Sequence, residues 1–251
     1  MPARLPPYYT SLPPFQELFQ TGVPILTYHK LGPRPPGVRL KGLYLSARLF
    51  ARQLSELRGA GFTAARLGDL RLATGNGQRS VALTFDDGFQ NVLEHGLEPL
   101  ARNQFHAIQF LVVDLLGKTN EWEQPLGEAR EPLMDTGQVR AWLAAGHEIG
   151  SHTLSHPFLT RVPLRQAREE ISVSKKKLED QFGVPLEHFC YPYGDSNPVI
   201  RDLVSAAGYR TACTTDFGIN DAGVNPFSLK RVTARYRSRN WSSLKAWLGG
   251  R

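Results

Sequence analysis

Three stretches of the chain combine residue types that can do chemistry with spacings that suit it. In "VALTFDDGF" an apolar run ends in two adjacent carboxylates, Asp86 and Asp87, before Gly88 turns the chain. Neighbouring side chains at a strand end diverge, so one carboxylate can bind a cation while the other handles a proton. Taken alone, Asp-Asp-Gly fits a helix cap beside a solvated acid equally well. In "EIGSHTLSHPFL" His152 and His156 stand four residues apart. On a single turn off a strand end, imidazoles at that spacing share a face and can hold one metal ion. Thr153 follows His152 where the zincin signature has glutamate, so this is a different arrangement. "FCYPYGDSN" breaks an apolar run with Pro192, Tyr193 and Gly194. An aromatic on such a turn either packs the loop or walls a cleft and aims a backbone N–H into it.

A fourth run, "PILTYHKLG", ends in His29, which by itself reads as a core residue, a surface residue or a catalytic group. What joins the four is placement. His29, the Asp pair, His152 and Tyr193 each follow the C-terminal end of a predicted strand, where parallel α/β barrels build their sites. Asp87, His152 and His156 supply three ligands with room for water, and Asp86 is left as a base. That set describes metal-assisted hydrolysis.

The elements that must position these groups are legible from periodicity. Strands are predicted at 23–29, 62–67, 80–85, 107–112, 147–151, 187–191, 209–215 and 227–232. Helices are predicted at 46–60, 137–145, 163–182 and 197–207, with Gly61, Gly146, Gly183 and Gly208 as stops. Eight strands alternating with helices point to a parallel α/β architecture whose closed form is a barrel. Residues 1–22 read as a Pro-rich N-terminal arm and 23–251 as one catalytic domain. The stretch 117–133 reads as a long irregular loop.

Composition bounds the rest. With 251 residues, 41% hydrophobic and 21% charged, the chain is ordinary for a globular protein. The net charge of +7 comes from seven bases after Leu229 (Lys230, Arg231, Arg235, Arg237, Arg239, Lys245 and Arg251), a stretch without acids. The body is balanced, so nucleic acid is not an expected partner, and the basic segment reads first as a solvated face. Cys190 and Cys213, each in an apolar run, read as buried free thiols rather than a disulfide framework. No apolar run reaches membrane-spanning length and the N-terminus lacks a signal-peptide core, so the expected location is cytoplasmic.

The motifs resemble those of the polysaccharide deacetylases, carbohydrate esterase family 4 of the chitooligosaccharide-deacetylase type. "TFDDG" resembles the first family motif, "SHTLSHP" the second and "YPYG" the third, and the similarity spans at least residues 80–215. The resemblance implies a single-domain distorted (β/α)7-type barrel. It implies a divalent metal held by Asp87, His152 and His156, usually zinc, with cobalt or nickel as alternatives. It assigns Asp86 as the general base and the backbone N–H of Tyr193, beside Pro192, to the oxyanion. Two departures stand out. Cys190 occupies the place of an Arg that orients the catalytic Asp in many members, and no histidine follows Tyr209 to act as the late general acid. The poly-N-acetylglucosamine deacetylase branch is similar in carrying that histidine near the N-terminus, by circular permutation of the barrel order. His29 in "ILTYH" is then the candidate acid, since an amine must leave protonated.

The implied activity is N-deacetylation of an amino sugar in a polysaccharide, oligosaccharide or lipid-linked glycan, releasing acetate. The alternatives are a deformylase or other C–N amidohydrolase, or a non-catalytic carbohydrate-binding protein of this fold. Trp122, in the 117–133 loop, either stacks on a sugar face or pins its loop. His95, His106, His147 and His188 are assigned to structure. The tail aligns Trp241, Leu244, Trp247 and Leu248 on one helical face, which either packs on the barrel or, with its basic neighbours, contacts a membrane surface.

Overall fold

The structure is a computed structural model that describes residues 5–70 and 79–235. Ten strands form, all with parallel pairings: β1 Ile25–Tyr28, β2 Lys30–Leu31, β3 Tyr44–Leu45, β4 Phe62–Ala64, β5 Arg79–Phe85, β6 Ile108–Leu111, β7 Glu148–Ser151, β8 His188–Cys190, β9 Thr211–Phe217 and β10 Leu229–Thr233. Among the described residues, five helices follow or separate them: α1 Ala47–Gly59, α2 Gln90–Arg102, α3 Thr136–Ala144, α4 Leu164–Phe182 and α5 Pro198–Ala206. The helix starts follow local chemistry. Ser46 and Asn197 accept the Leu49 and Ile200 N–H groups, and Asp135 with Gln138 forms a capping box.

The sheet runs β1-β10-β9-β8-β7-β6-β5, and β1 also pairs with β5, which closes a barrel of seven parallel strands. β5 changes partners along its length. Its first residues pair with β4 (Phe62 opposite Arg79), and Ala82 to Phe85 then pair with β1. All eight predicted strands and four predicted helices form, within a residue or two at most ends. The pairs β2 and β3 are additions too short to carry a periodic signal.

Strand parity decides what points where. Ile25, Ala82, Ile108, Phe110, Cys190, Cys213 and Leu229 form the apolar filling inside the barrel. The alternate residues Leu26, Tyr28, Val81, Leu83, Phe85, Ile149, Phe189 and Val232 face the helices in the larger core. Counting upward from that filling by twos reaches His29 past β1, Asp86 past β5, His152 past β7 and Arg231 on β10. Gly150 is required on this inner layer, because a Cβ there would stand 2.5 Å from the Phe110 ring.

The N-terminal segment packs on this frame. Tyr9, Leu12, Phe15 and Phe19 are buried in the main core, and Tyr9 pairs with Ala234. Of the basic residues after Leu229, Arg231 and Arg235 are buried and only Lys230 among the described ones is exposed, so a solvated face does not describe them. Arg231 lies on the inward parity of β10, and Arg235 packs over the Tyr8 ring. Both cysteines are free and buried, as expected. Trp241, Leu244, Lys245, Trp247 and Leu248 lie outside the described residues. Among the described residues no helix is long and apolar enough to cross a membrane.

Candidate active site

The strands deliver their last inward residues to one rim. Asp87 follows Asp86 and would diverge from it on an extended backbone. Its φ of 77° instead folds the carboxylate back over the barrel mouth. Thr153 (φ 69°), His156 (φ 66°) and Tyr193 (φ 59°) are likewise left-handed, so four of the five non-glycine residues with positive φ among the described residues surround this site. Such backbone costs energy and persists where the surroundings impose it.

Asp87 Oδ1 lies 3.4 Å from His152 Nε2 and 3.3 Å from His156 Nε2, and all three residues are buried. Two donors at about 2.0–2.1 Å from a tetrahedral ion stand about 3.3–3.4 Å apart, so this nitrogen–nitrogen–oxygen set fits one divalent metal. The His pair does not sit on a helical turn as its spacing suggests. The two left-handed residues bend a loop, and Thr153 Oγ1 fixes the bend by accepting the His156 N–H at 2.9 Å. Hydrogen bonds from the two imidazoles outweigh burial and hold the Asp87 carboxyl well below the usual carboxylate range.

Asp86 stays off this triad and faces a residue that motif reading passed over. Arg231 donates Nη1 to Oδ1 and Nη2 to Oδ2 of Asp86, each at 2.8 Å, with both side chains buried. Arg231 also donates to the Thr214 carbonyl at 2.7 Å and stands 3.2 Å from Cys190 Sγ. The guanidinium absent from the third motif therefore comes from β10. Burial would raise the Asp86 carboxyl, but the Arg231 charge and fork prevail and lower it. Asp86, His152 and Cys190 also place donor atoms close together. Arg231 fills that corner, and burial pushes the Cys190 thiol up to about 11.

His29 completes the far wall, with Nε2 3.8 Å from Asp86 Oδ2 and the side chain 20% exposed. Burial lowers its imidazole, against the pull of Asp86 and Asp87. Pro192 is buried and sets the turn that carries Tyr193. The Tyr193 ring stacks on Phe158 at 3.8 Å and meets the edge of His156 at 4.6 Å. Gly194 cannot be replaced freely, because a Cβ would meet Thr215 Oγ1 at 2.1 Å.

Two more supports come from far away in sequence. Glu170, buried on α4, accepts the Leu154 N–H at 2.8 Å, the Ser155 N–H at 3.0 Å and the Ser155 hydroxyl at 2.6 Å, so it holds the His152–His156 loop. The 117–133 stretch is ordered by its own acids. Glu128 accepts the Arg39 and Leu40 N–H groups, and Glu123 pairs with buried Lys30 at 3.1 Å. Trp122 then lies flat on His156, 4.5 Å between centroids. His106, His147 and His188 sit at the opposite end of the barrel, as assigned; burial brings His147 down to about 4.

A family model described as "Polysaccharide deacetylase" matches residues 73–212. The peptidoglycan-N-acetylglucosamine deacetylase PgdA of Listeria monocytogenes is 27% identical over 148 residues, 58% of this chain and 28% of that protein, so this chain spans well under half of that relative. Among solved structures, the deacetylase PplD of Streptococcus pyogenes aligns with a TM-score of 0.73 at 22% identity, over 85% of this chain and 92% of its own. IcaB of Ammonifex degensii aligns at 0.72 and 22%, over 90% and 96%. At those identities the structural likeness speaks for the fold.

Proposed function

The chain belongs to the polysaccharide deacetylase family, and from that premise we propose that it hydrolyses the N-acetyl amide of an amino sugar within a glycan, releasing acetate. The observation that carries this reading is the division of labour between adjacent carboxylates. Asp87 faces two imidazoles at metal-ligand separations, while both oxygens of Asp86 accept from the Arg231 fork. One carboxylate is a ligand and its neighbour is a base.

Asp87, His152 and His156 would hold the ion, and zinc suits their donor types and separations. When bound, it polarises the acetyl carbonyl and makes water acidic. Asp86, kept ionised and aimed by Arg231, takes the proton from the attacking water. The Tyr193 N–H, on its left-handed turn, faces the developing oxyanion. His29, across the mouth from Asp86, gives a proton to the departing amine. The substrate is then a glycan whose acetamido group can reach the barrel mouth.

Acetate release should be measured over chitooligosaccharides, β-1,6-linked glucosamine oligomers and lipid-linked sugars, with formate followed in parallel. Chelation should abolish the activity, and zinc, cobalt or nickel should restore it. Formate without acetate, or turnover indifferent to chelator, would overturn the proposal.

A further inference from the structure

We propose that Trp122 is a positioning residue for His156, clamping an imidazole whose Nδ1 no hydrogen bond orients, and that the buried Lys30–Glu123 pair keeps the clamp in place. The inference rests on reading Asp87, His152 and His156 as metal ligands. It assigns Trp122 a task different from sugar stacking.

The two histidines are held in different ways. His152 Nδ1 lies 2.7 Å from the Cys190 carbonyl, the usual arrangement in which the second ring nitrogen fixes tautomer and orientation. His156 Nδ1 is buried and has no hydrogen-bond partner among the described residues. Rotation of an imidazole about its last torsion is soft, and Asp87 touches the ring at Nε2 alone, so on the Nδ1 side packing must supply the orientation that a hydrogen bond supplies to His152. The packing is present on two sides. Trp122 covers one face of the ring at 4.5 Å with an interplanar angle of 23°, and Tyr193 meets it at 4.6 Å and 76°.

A Trp face spent on His156 is closed to a sugar on that side. What sets the indole there is the next residue. Glu123 accepts from Lys30 Nζ at 3.1 Å and from Asn120, and the Lys30 ammonium lies 4.3 Å from the centroid of the Phe89 ring. Lys30 is fully buried and follows His29, so the pair ties the Trp122 loop to the strand that carries the candidate acid. Neither charge has another opposite partner at salt-bridge distance among the described residues, so each depends on the other.

The test is zinc binding by metal-stripped protein, read by competition with a chromogenic chelator and without substrate, for W122A, W122F and E123Q. W122A should weaken zinc by about 10- to 100-fold, W122F much less, and E123Q in the same direction with the ring intact. At saturating zinc, W122A should regain kcat with KM close to that of the parent. Zinc affinity unchanged in all three, or unchanged zinc affinity with a raised KM in W122A, would overturn the clamp. Because zinc is titrated without glycan, a wrong substrate assignment leaves this result intact.

Discussion

Replacing Arg231 with methionine removes one half of a buried, bidentate ion pair and leaves Asp86 in place. The side chains of both residues are at least 96% buried, and the two hydrogen bonds at 2.8 Å are the main compensation for burying the carboxylate. Removing one partner of such a pair costs about 3–5 kcal/mol. For a chain of this size each kcal/mol shifts Tm by about 2–4 °C, so R231M should melt roughly 6–20 °C lower. The sign of the pH dependence should also invert. In the parent, Asp86 has a pKa below its ordinary 3.8, so its contribution is present above that pH and is lost as pH falls through the native value. Without Arg231, burial is the largest remaining influence and raises the carboxyl above 3.8. The Asp86 contribution then weakens as pH rises, until the carboxyl ionises. Denaturation by urea at several pH values, on chelator-treated parent and variant, reads this directly. The acid limb of kcat/KM should move upward in the metal-loaded variant, and R231K should restore charge but not the fork. An R231M protein with the parent's stability and the parent's acid limb would refute the reasoning.

His29→Ala should retain its metal, as read by elemental analysis, and lose about 10²- to 10⁴-fold in kcat; an unchanged kcat removes His29 from the mechanism. Glu170→Ala removes the acceptor of two N–H groups in the loop between His152 and His156. It should lower stability by about 1–3 kcal/mol and weaken zinc in competition titrations, whereas a loss of stability alone would reduce Glu170 to a scaffold residue. His147, held neutral by burial with a pKa of about 4, gives stability that is full above pH 6.5 and is lost as pH falls from 6.5 toward 4. Urea midpoints should therefore fall over that window, and H147Q should flatten the decline.

Residues whose role depends on local pattern were readable and those depending on distant partners were not. Asp86, Asp87, His152 and His156 are fixed by where apolar runs stop, and β5, β7 and their turns put them where the runs predict. Arg231 looked like one base in a basic stretch because charge was counted by segment. Its position on the inward parity of "LKRVT", beside Leu229, is the signal that singles it out. Glu170 resembles the solvated acids of any amphipathic helix, and only the loop 15 and 16 residues earlier distinguishes it. Lys30 and Glu123 are 93 residues apart, and no local period relates them. The proline content of the first residues likewise masks three aromatics, Tyr9, Phe15 and Phe19, that pack against one another inside the core.

The pairing that seals the barrel joins segments about 200 residues apart, since Leu26 and Thr27 on β1 pair with Val232 and Thr233 on β10. On a ribosome adding about 5–20 residues per second, β10 emerges roughly 10–40 s after β1. The candidate ligand triad is encoded between Asp87 and His156 and is finished well before then, whereas the guanidinium that tethers Asp86 comes with β10. A nascent chain thus holds Asp87, His152 and His156 before Asp86 is tethered. On the proposed function, hydrolysis waits on β10, and a chain interrupted before Leu229 carries the three residues with an untethered Asp86.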